Sequence, residues 1–409
     1  MPAARFWMCC LLLLVCRPGF TQDPEIPIGV SAAFQGASKF LGIELYRGSM
    51  AYVDSVNDAG GIHGRKIRLQ VLDDGYTPGP ALTNTIQLVE REKVFLLFDY
   101  VGTPTVSRVL PLLKIYKDQN IFLLFPFTGA QQLRDPPYSD HVFNLRASYR
   151  QETAGLVDNF VRMGRKRVAV FYQADSYGRS GWEGVRLALA RYHLEMVGEA
   201  TYRRGAAFPD SLKQQVDLLR NTQPDAIISV GTYAPCAAFI RDARDAGWDV
   251  PIANVSFVGS AFLLNLLLDA GAKSHKDYTG NLINTEVIPN FEDLSFPAVK
   301  EYHELMDRYQ PSPPPGFGGG NAGEVKYSYV SLEGFLNAKL LVEILKRAGD
   351  PPDRAKIPTA VESIRDYDLG IKTPISFGPD RNQGMDRVYF NTVENGRLVP
   401  FTDWQRWRK

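Results

Sequence analysis

Two hydrophobic periods alternate along most of this 409-residue chain. Short apolar or β-branched runs stand at 26–32 (IPIGVSA), 66–74 (KIRLQVLDD), 94–98 (VFLLF), 121–125 (IFLLF) and 141–146 (HVFNLR), separated by stretches of helical spacing near 43–58, 80–93 and 104–118. The pattern then restarts with a helix from Gln151. RVAVFYQ (167–173), LEMVGEATY (194–202), DAIISVG (225–231) and PIANVSF (251–257) follow, with helices expected over 179–193, 209–221 and 235–246. Parallel neighbours need crossover connections, and those are usually helices, so two successive series predict an α/β protein with two doubly wound parallel-sheet lobes.

The stretch from Asn57 to Thr83 shows one such unit turning its corner. Gly60 and Gly61 free the chain to leave a helix, HGRK makes the return, and the strand that follows ends in Asp73 and Asp74 before TPGPA opens the next helix. Asp74 reads as a turn cap. The carboxyl edge it marks is where open α/β sheets gather functional loops.

Composition narrows the function. Hydrophobic residues make up 45% and charged residues 22%, as in an ordinary globular chain long enough for two cores. Lysine plus arginine (46) nearly cancels aspartate plus glutamate (45), which leaves no electrostatic footprint for nucleic acid or an anionic membrane. A small-molecule partner is expected instead. The N-terminus has one arginine, an apolar run from Phe6 to Val15 and then small, turn-forming residues. This is the layout of a secretory signal peptide, expected to cover residues 1–21 with cleavage between Cys16 and Gln22. LLVC at 13–16 leaves a lipoprotein anchor open as the alternative. No later stretch has the ~20 apolar residues of a membrane-spanning helix. Three of the four cysteines lie in the leader, so Cys236 is expected alone, without an intrachain disulfide, as a small apolar residue.

Catalytic and cofactor motifs do not assemble. GGGNAG at 318–323 formally fits a dinucleotide fingerprint, but a proline run precedes it where a strand is needed. There is no G-x-x-x-x-G-K-[ST] and no G-x-S-x-G, and the five histidines (63, 141, 193, 275, 303) are scattered without metal-ligand spacing. No cofactor, no metal and no enzymatic activity are expected.

A resemblance then organises these elements. GASKFLGIELYRG (36–48), VNDAGGIHGRKIRLQVLDDGYTPGPA, FDYVGTPT, FLLFPFTGA, FYQADSYGRSG and IRDARDAGW come in the order found in the type 1 periplasmic binding proteins. The chain resembles most the leucine/isoleucine/valine-binding protein-like subfamily, the extracytoplasmic receptors of ABC transporters. The resemblance implies a clamshell joined by a three-stranded hinge, with lobe 1 at 24–147 plus 278–384 and lobe 2 at 148–277 plus 385–409. It also implies a monomeric periplasmic protein that binds an amino acid or related small carboxylate and delivers it to ABC permease subunits. A sensing module for a separate signalling partner, or a receptor for an aromatic acid or amide, remain the alternatives.

The same resemblance proposes a ligand site at Leu41, Gly102, Thr103, Phe127, Thr128, Tyr177, Tyr233, Asp175 and Ser256. Gly102 and Thr103 open a helix after VFLLF, where amides and a hydroxyl face an anion. Phe127 and Thr128 match a second carboxylate-holding loop. The family commonly has serine at the position of Gly102 and often threonine at that of Gly129. Tyr177 and Tyr233 match cleft-lining tyrosines, and Phe40 with Leu41 forms a third wall. Ser256 stands where the family places the acid that grips an ammonium, with Asp175 or Asp99 as candidate replacements.

Overall fold

The computed structural model describes residues 25–317 and 325–409. The expected signal peptide and the GGGNAG stretch lie outside the described residues. The first lobe is built on five parallel strands, β1 (Glu25–Ala32), β2 (Lys66–Asp73), β3 (Leu96–Phe98), β4 (Leu123–Leu124) and β5 (Val142–Phe143), in the order β2-β1-β3-β4-β5. Their crossovers are α1 (Lys39–Asp58), α2 (Pro78–Ile86) and α3 (Thr103–Ile115). The second lobe is entered through α4 (Tyr149–Arg162) and carries β6 (Val168–Gln173), α5 (Ser176–Ala190), β7 (Gly198–Tyr202), α6 (Lys213–Arg220), β8 (Ala226–Val230), α7 (Tyr233–Asp245), β9 (Ile252–Asn254) and α8 (Ser260–Ser274).

Strand position in each sheet follows from the residue pattern. β6 and β8, apolar but for Gln173 and Ser229, are buried at every residue, and both are interior strands covered on two faces. β2 and β7 mix polar and apolar residues, and each stands at a sheet edge. The runs VFLLF and IFLLF form shorter strands than their composition suggests. Asp99 (φ 51°) and Phe125 (φ 54°) turn into the left-handed region directly after Phe98 and Leu124, ending the extended backbone there.

β10 (Leu282–Glu286) pairs in parallel with β9, so the chain remains in the second sheet past residue 278, the expected crossing. It then returns to the first lobe as α9 (Pro297–Tyr309), α10 (Tyr329–Arg347) and α11 (Ile357–Glu362), and a two-stranded ribbon follows, β11 (Tyr367–Asp368) with β12 (Pro374–Ile375). α10 lies against α1 at very close range. A methyl on Gly48 would strike the Ser331 backbone, and one on Gly334 the Leu45 backbone, so the two helices touch through glycine. The chain ends in an antiparallel hairpin, β13 (Tyr389–Glu394) and β14 (Arg397–Pro400), which completes a second sheet of order β14-β13-β10-β9-β8-β6-β7.

Two of the connections between the lobes run side by side. Asn144 N–H donates to Asn382 O (2.7 Å), Gly384 N–H to Asn144 O (2.8 Å) and Met385 N–H to Leu145 O (3.0 Å). In both sheets the strand order reverses at the first strand, between β1 and β3 and between β6 and β8, which places a crevice at the carboxyl ends. Side chains from the two crevices meet one another.

Candidate ligand-binding cleft

The meeting surface is aromatic. Phe257, on a short turn after β9, lies among rings of both lobes: Phe127 at 5.2 Å, Tyr76 at 6.0 Å and Tyr177 at 4.8 Å between centroids. Tyr149 packs on Tyr177 at 5.2 Å. Nearer solvent, Phe40 stacks on Phe262 (5.3 Å, 12° between planes) and leans on Tyr233 (6.1 Å), whose hydroxyl lies 3.5 Å from the Phe40 amide. Tilted and offset ring pairs of this kind each contribute roughly 0.5–1.5 kcal/mol beyond their buried area.

Beneath the rings lies a polar floor. Gly102 N–H donates to Phe127 O (3.1 Å) and Phe127 N–H to Tyr100 O (2.8 Å), which ties together the loops that follow β3 and β4. Thr103 and Thr128 are thereby brought face to face, their hydroxyl oxygens 2.6 Å apart and both residues buried. Gly102 (φ 98°, ψ 144°) caps α3 without a side chain of its own. The Tyr76 ring covers it, and the Tyr149 ring covers Gly129 in the same way.

The acids around the cleft already have partners. Asp175 caps α5, accepting from the Tyr177 amide (3.0 Å), from Gln173 Nε2 (2.7 Å) and from Arg204 (3.4 Å). Burial pushes its carboxyl above the usual range, against those hydrogen bonds. Asp99 lies behind the floor and accepts from Ser49 (2.6 Å) and Asn337 (2.7 Å). Glu152 accepts from the Ser256 amide (2.7 Å) and the Ser256 hydroxyl (3.1 Å), and also from Thr285. Arg146 sits 3.8 Å from Glu152 and 3.5 Å from Glu333, donates to the Ser256 hydroxyl and lies 4.6 Å over the Phe127 ring. All three charges of this cluster are buried. Burial raises the Glu333 carboxyl to about 7, partly offset by Arg146.

Of the residues proposed from sequence, Gly102, Thr103, Phe127 and Thr128 converge on the floor, while Tyr177 and Tyr233 stand across from them. Tyr177 donates to Gly231 O at 3.2 Å. Leu41 is fully buried in the first turn of α1, and its neighbour Phe40 presents the ring to the second lobe. Asp175 and Ser256 are engaged within the protein as described. Sequence reasoning passed over Tyr76, Arg146, Tyr149, Phe257 and Phe262. A usable signal existed for Tyr76, an aromatic directly after Asp-Asp-Gly at a sheet's carboxyl edge. Cys236 is buried, its sulfur 3.2 Å from the Ser229 hydroxyl, and burial pushes its thiol up to about 12. That is the opposite of an activated nucleophile. Among the described residues no cluster of histidine, cysteine and acidic side chains has the makings of a metal site, and no helix is long and apolar enough to cross a membrane.

Two α/β lobes whose carboxyl edges close over buried hydroxyls and rings define a two-lobed solute receptor. The comparisons specify it. The periplasmic binding protein family model matches residues 25–397, and the chain belongs to that family, whose members bind solutes and are not enzymes. An amino acid binding protein of Pseudomonas aeruginosa is 26% identical over 226 residues, 54% of this chain and 58% of that protein. A Leu/Ile/Val-binding protein homolog of Brucella abortus is 23% identical over 92% of this chain and 90% of its own length. Among solved structures, a possible leucine/isoleucine/valine-binding protein from Rhodopirellula baltica superposes with a TM-score of 0.79 at 30% identity, covering 93% of this chain and 97% of that one.

Proposed function

We propose that this chain is an exported solute receptor that closes on a small carboxylate with an apolar or aromatic body, and that it delivers this ligand to an ABC permease. Closure rotates the lobes about the paired connections near residues 144–145 and 382–385 and the third connection after Glu286. The ligand equilibrium is thereby coupled to a hinge equilibrium. The observation that carries the ligand class is the state of the acids. An ammonium taken into a closed cleft needs an anionic partner or several neutral acceptors, and Asp99, Asp175 and Glu152 each already spend lone pairs on two or more donors of the protein itself, with which it would have to compete. The hydroxyls of Thr103 and Thr128, by contrast, stand at the start of α3, where the helix favours an anion. This supports a carboxylate without an α-amine.

A second reading, an amino-acid receptor, is favoured by the names of the Pseudomonas and Brucella relatives. A thermal-shift panel separates the two: leucine, valine and phenylalanine against 4-methylpentanoate, 3-methylbutanoate and 3-phenylpropanoate, the same bodies without the amine. A ligand at 100 times its Kd adds about 2.7 kcal/mol. Stabilisation by the amine-free acids, with little or none from the amino acids, is expected. The reverse order would establish the amino-acid reading.

A further inference from the structure

Two tyrosines occupy the space that side chains on Gly102 and Gly129 would need. A methyl on Gly129 would come within 2.7 Å of Tyr149 Cδ1, and one on Gly102 within 2.8 Å of Tyr76 Cδ2. The Tyr149 ring brings its phenol to the threonine floor, whereas the Tyr76 phenol reaches Gln173 of the second lobe. The Tyr149 hydroxyl lies beside those of Thr103 and Thr128 yet completes a hydrogen bond with neither, in a fully buried position. Tyr76 Oη accepts from Gln173 Nε2 at 3.2 Å, and its own proton has no acceptor among the described residues. The Thr103–Thr128 pair uses one of its two protons internally, and Gly102 offers no side-chain acceptor to the start of α3.

The buried Tyr149 phenol is therefore left without a hydrogen-bond partner beside the threonine pair. Leaving a buried hydroxyl unmatched is costly, and a carboxylate is an acceptor-only group with about four lone-pair sites. Burial raises the Tyr149 phenol above its ordinary value, with Arg146 offsetting part of the rise, so the hydroxyl keeps its proton and can donate it. A neutral amide offers these donors one acceptor oxygen where a carboxylate offers two.

We propose that Tyr149 is a specificity-determining ligand residue, its phenol donating to the carboxylate held at Thr103 and Thr128. This rests on the carboxylate reading above, and its test is arranged so that the two can fail separately. Tyr149→Phe keeps the ring over Gly129 and removes only the unpartnered hydroxyl. In the ligand-free protein its melting temperature should equal or exceed that of the wild type. A drop of several degrees would mean that the hydroxyl holds the fold together, and would overturn the proposal whatever the ligand is.

The second measurement is isothermal titration of wild type and Tyr149→Phe with 3-phenylpropanoate, 4-methylpentanoate and their amides. Carboxylate affinity should fall about ten- to a hundredfold in the variant, as expected for a lost hydrogen bond to a charged group, and the preference for acid over amide should narrow. Equal carboxylate affinity in the two proteins would refute the role of Tyr149 while leaving the carboxylate reading intact. Wild-type protein that takes the amides in preference to the acids would refute both.

Discussion

Gly102→Ala tests the floor of the cleft directly, because two separate penalties meet at that residue. The first is backbone strain. At φ 98° and ψ 144° the residue occupies a region open essentially to glycine alone, and forcing alanine into it costs roughly 1–3 kcal/mol. The second is overlap: the new methyl would come within 2.8 Å of Tyr76 Cδ2 and 3.3 Å of the Thr105 hydroxyl, and overpacking of this order costs a further 1–3 kcal/mol or so. The sum, about 2–6 kcal/mol, is a large part of a typical domain's stability. A double-mutant cycle with Tyr76→Ala separates the parts. Removing the ring abolishes the overlap and leaves the strain, so the pair should be less destabilised than the two single changes added together, by about 1–3 kcal/mol. Urea unfolding followed by far-UV circular dichroism and by tryptophan fluorescence measures the four proteins, the two probes testing whether the lobes unfold in one transition. Additivity to within about 0.5 kcal/mol would show that Tyr76 does not cover Gly102, and the cleft floor described above would be wrong.

Two further outcomes concern buried charge. Arg146→Met leaves Glu152 and Glu333 without their common cation and should destabilise by about 3–5 kcal/mol, with partial recovery when Glu333→Gln is added; wild-type stability in the single variant would contradict the cluster. Asp74→Asn addresses pH. Burial raises the Asp74 carboxyl to about 7, against hydrogen bonds from Ser31 and the Tyr76 amide, so the stability it contributes is complete below the ordinary value of 3.8 and is lost as pH rises through about 7. The asparagine variant should therefore gain on the wild type between about pH 4 and pH 8, by at most roughly 4 kcal/mol. A difference that stays flat over that window would refute the assignment.

What could be read in advance depended on how local each determinant is. The apolar runs of β6 and β8 announced buried interior strands because burial on two faces leaves no alternation to see. The C-terminal hairpin was equally legible and was passed over. Asn395-Gly396 take φ 50° and 73°, the left-handed pair that a tight hairpin turn requires, and the dipeptide stands between alternating residues. Tyr149 was not legible in the same way. Its place as the first residue of α4 follows from the Ser148–Gln151 capping box, but the direction of its ring depends on Gly129, twenty positions earlier on another loop. Arg146 reads as a surface charge at the end of a strand until α4 and α10 bring Glu152 and Glu333 to it. Phe257 looks like the last residue of a strand. A turn after Asn254 instead carries it across to the other lobe.

The burial of Thr103, Thr128 and Tyr149 also has a kinetic meaning. With no more than 1% of any of them exposed, a solute in bulk water has no path to the hydroxyls while the rings of the two lobes remain in contact. Parting the lobes must precede capture. The observed association rate should then rise with ligand concentration only until it reaches the frequency with which the lobes part, and level off there. That ceiling belongs to the protein alone, and every ligand that uses the floor should share it.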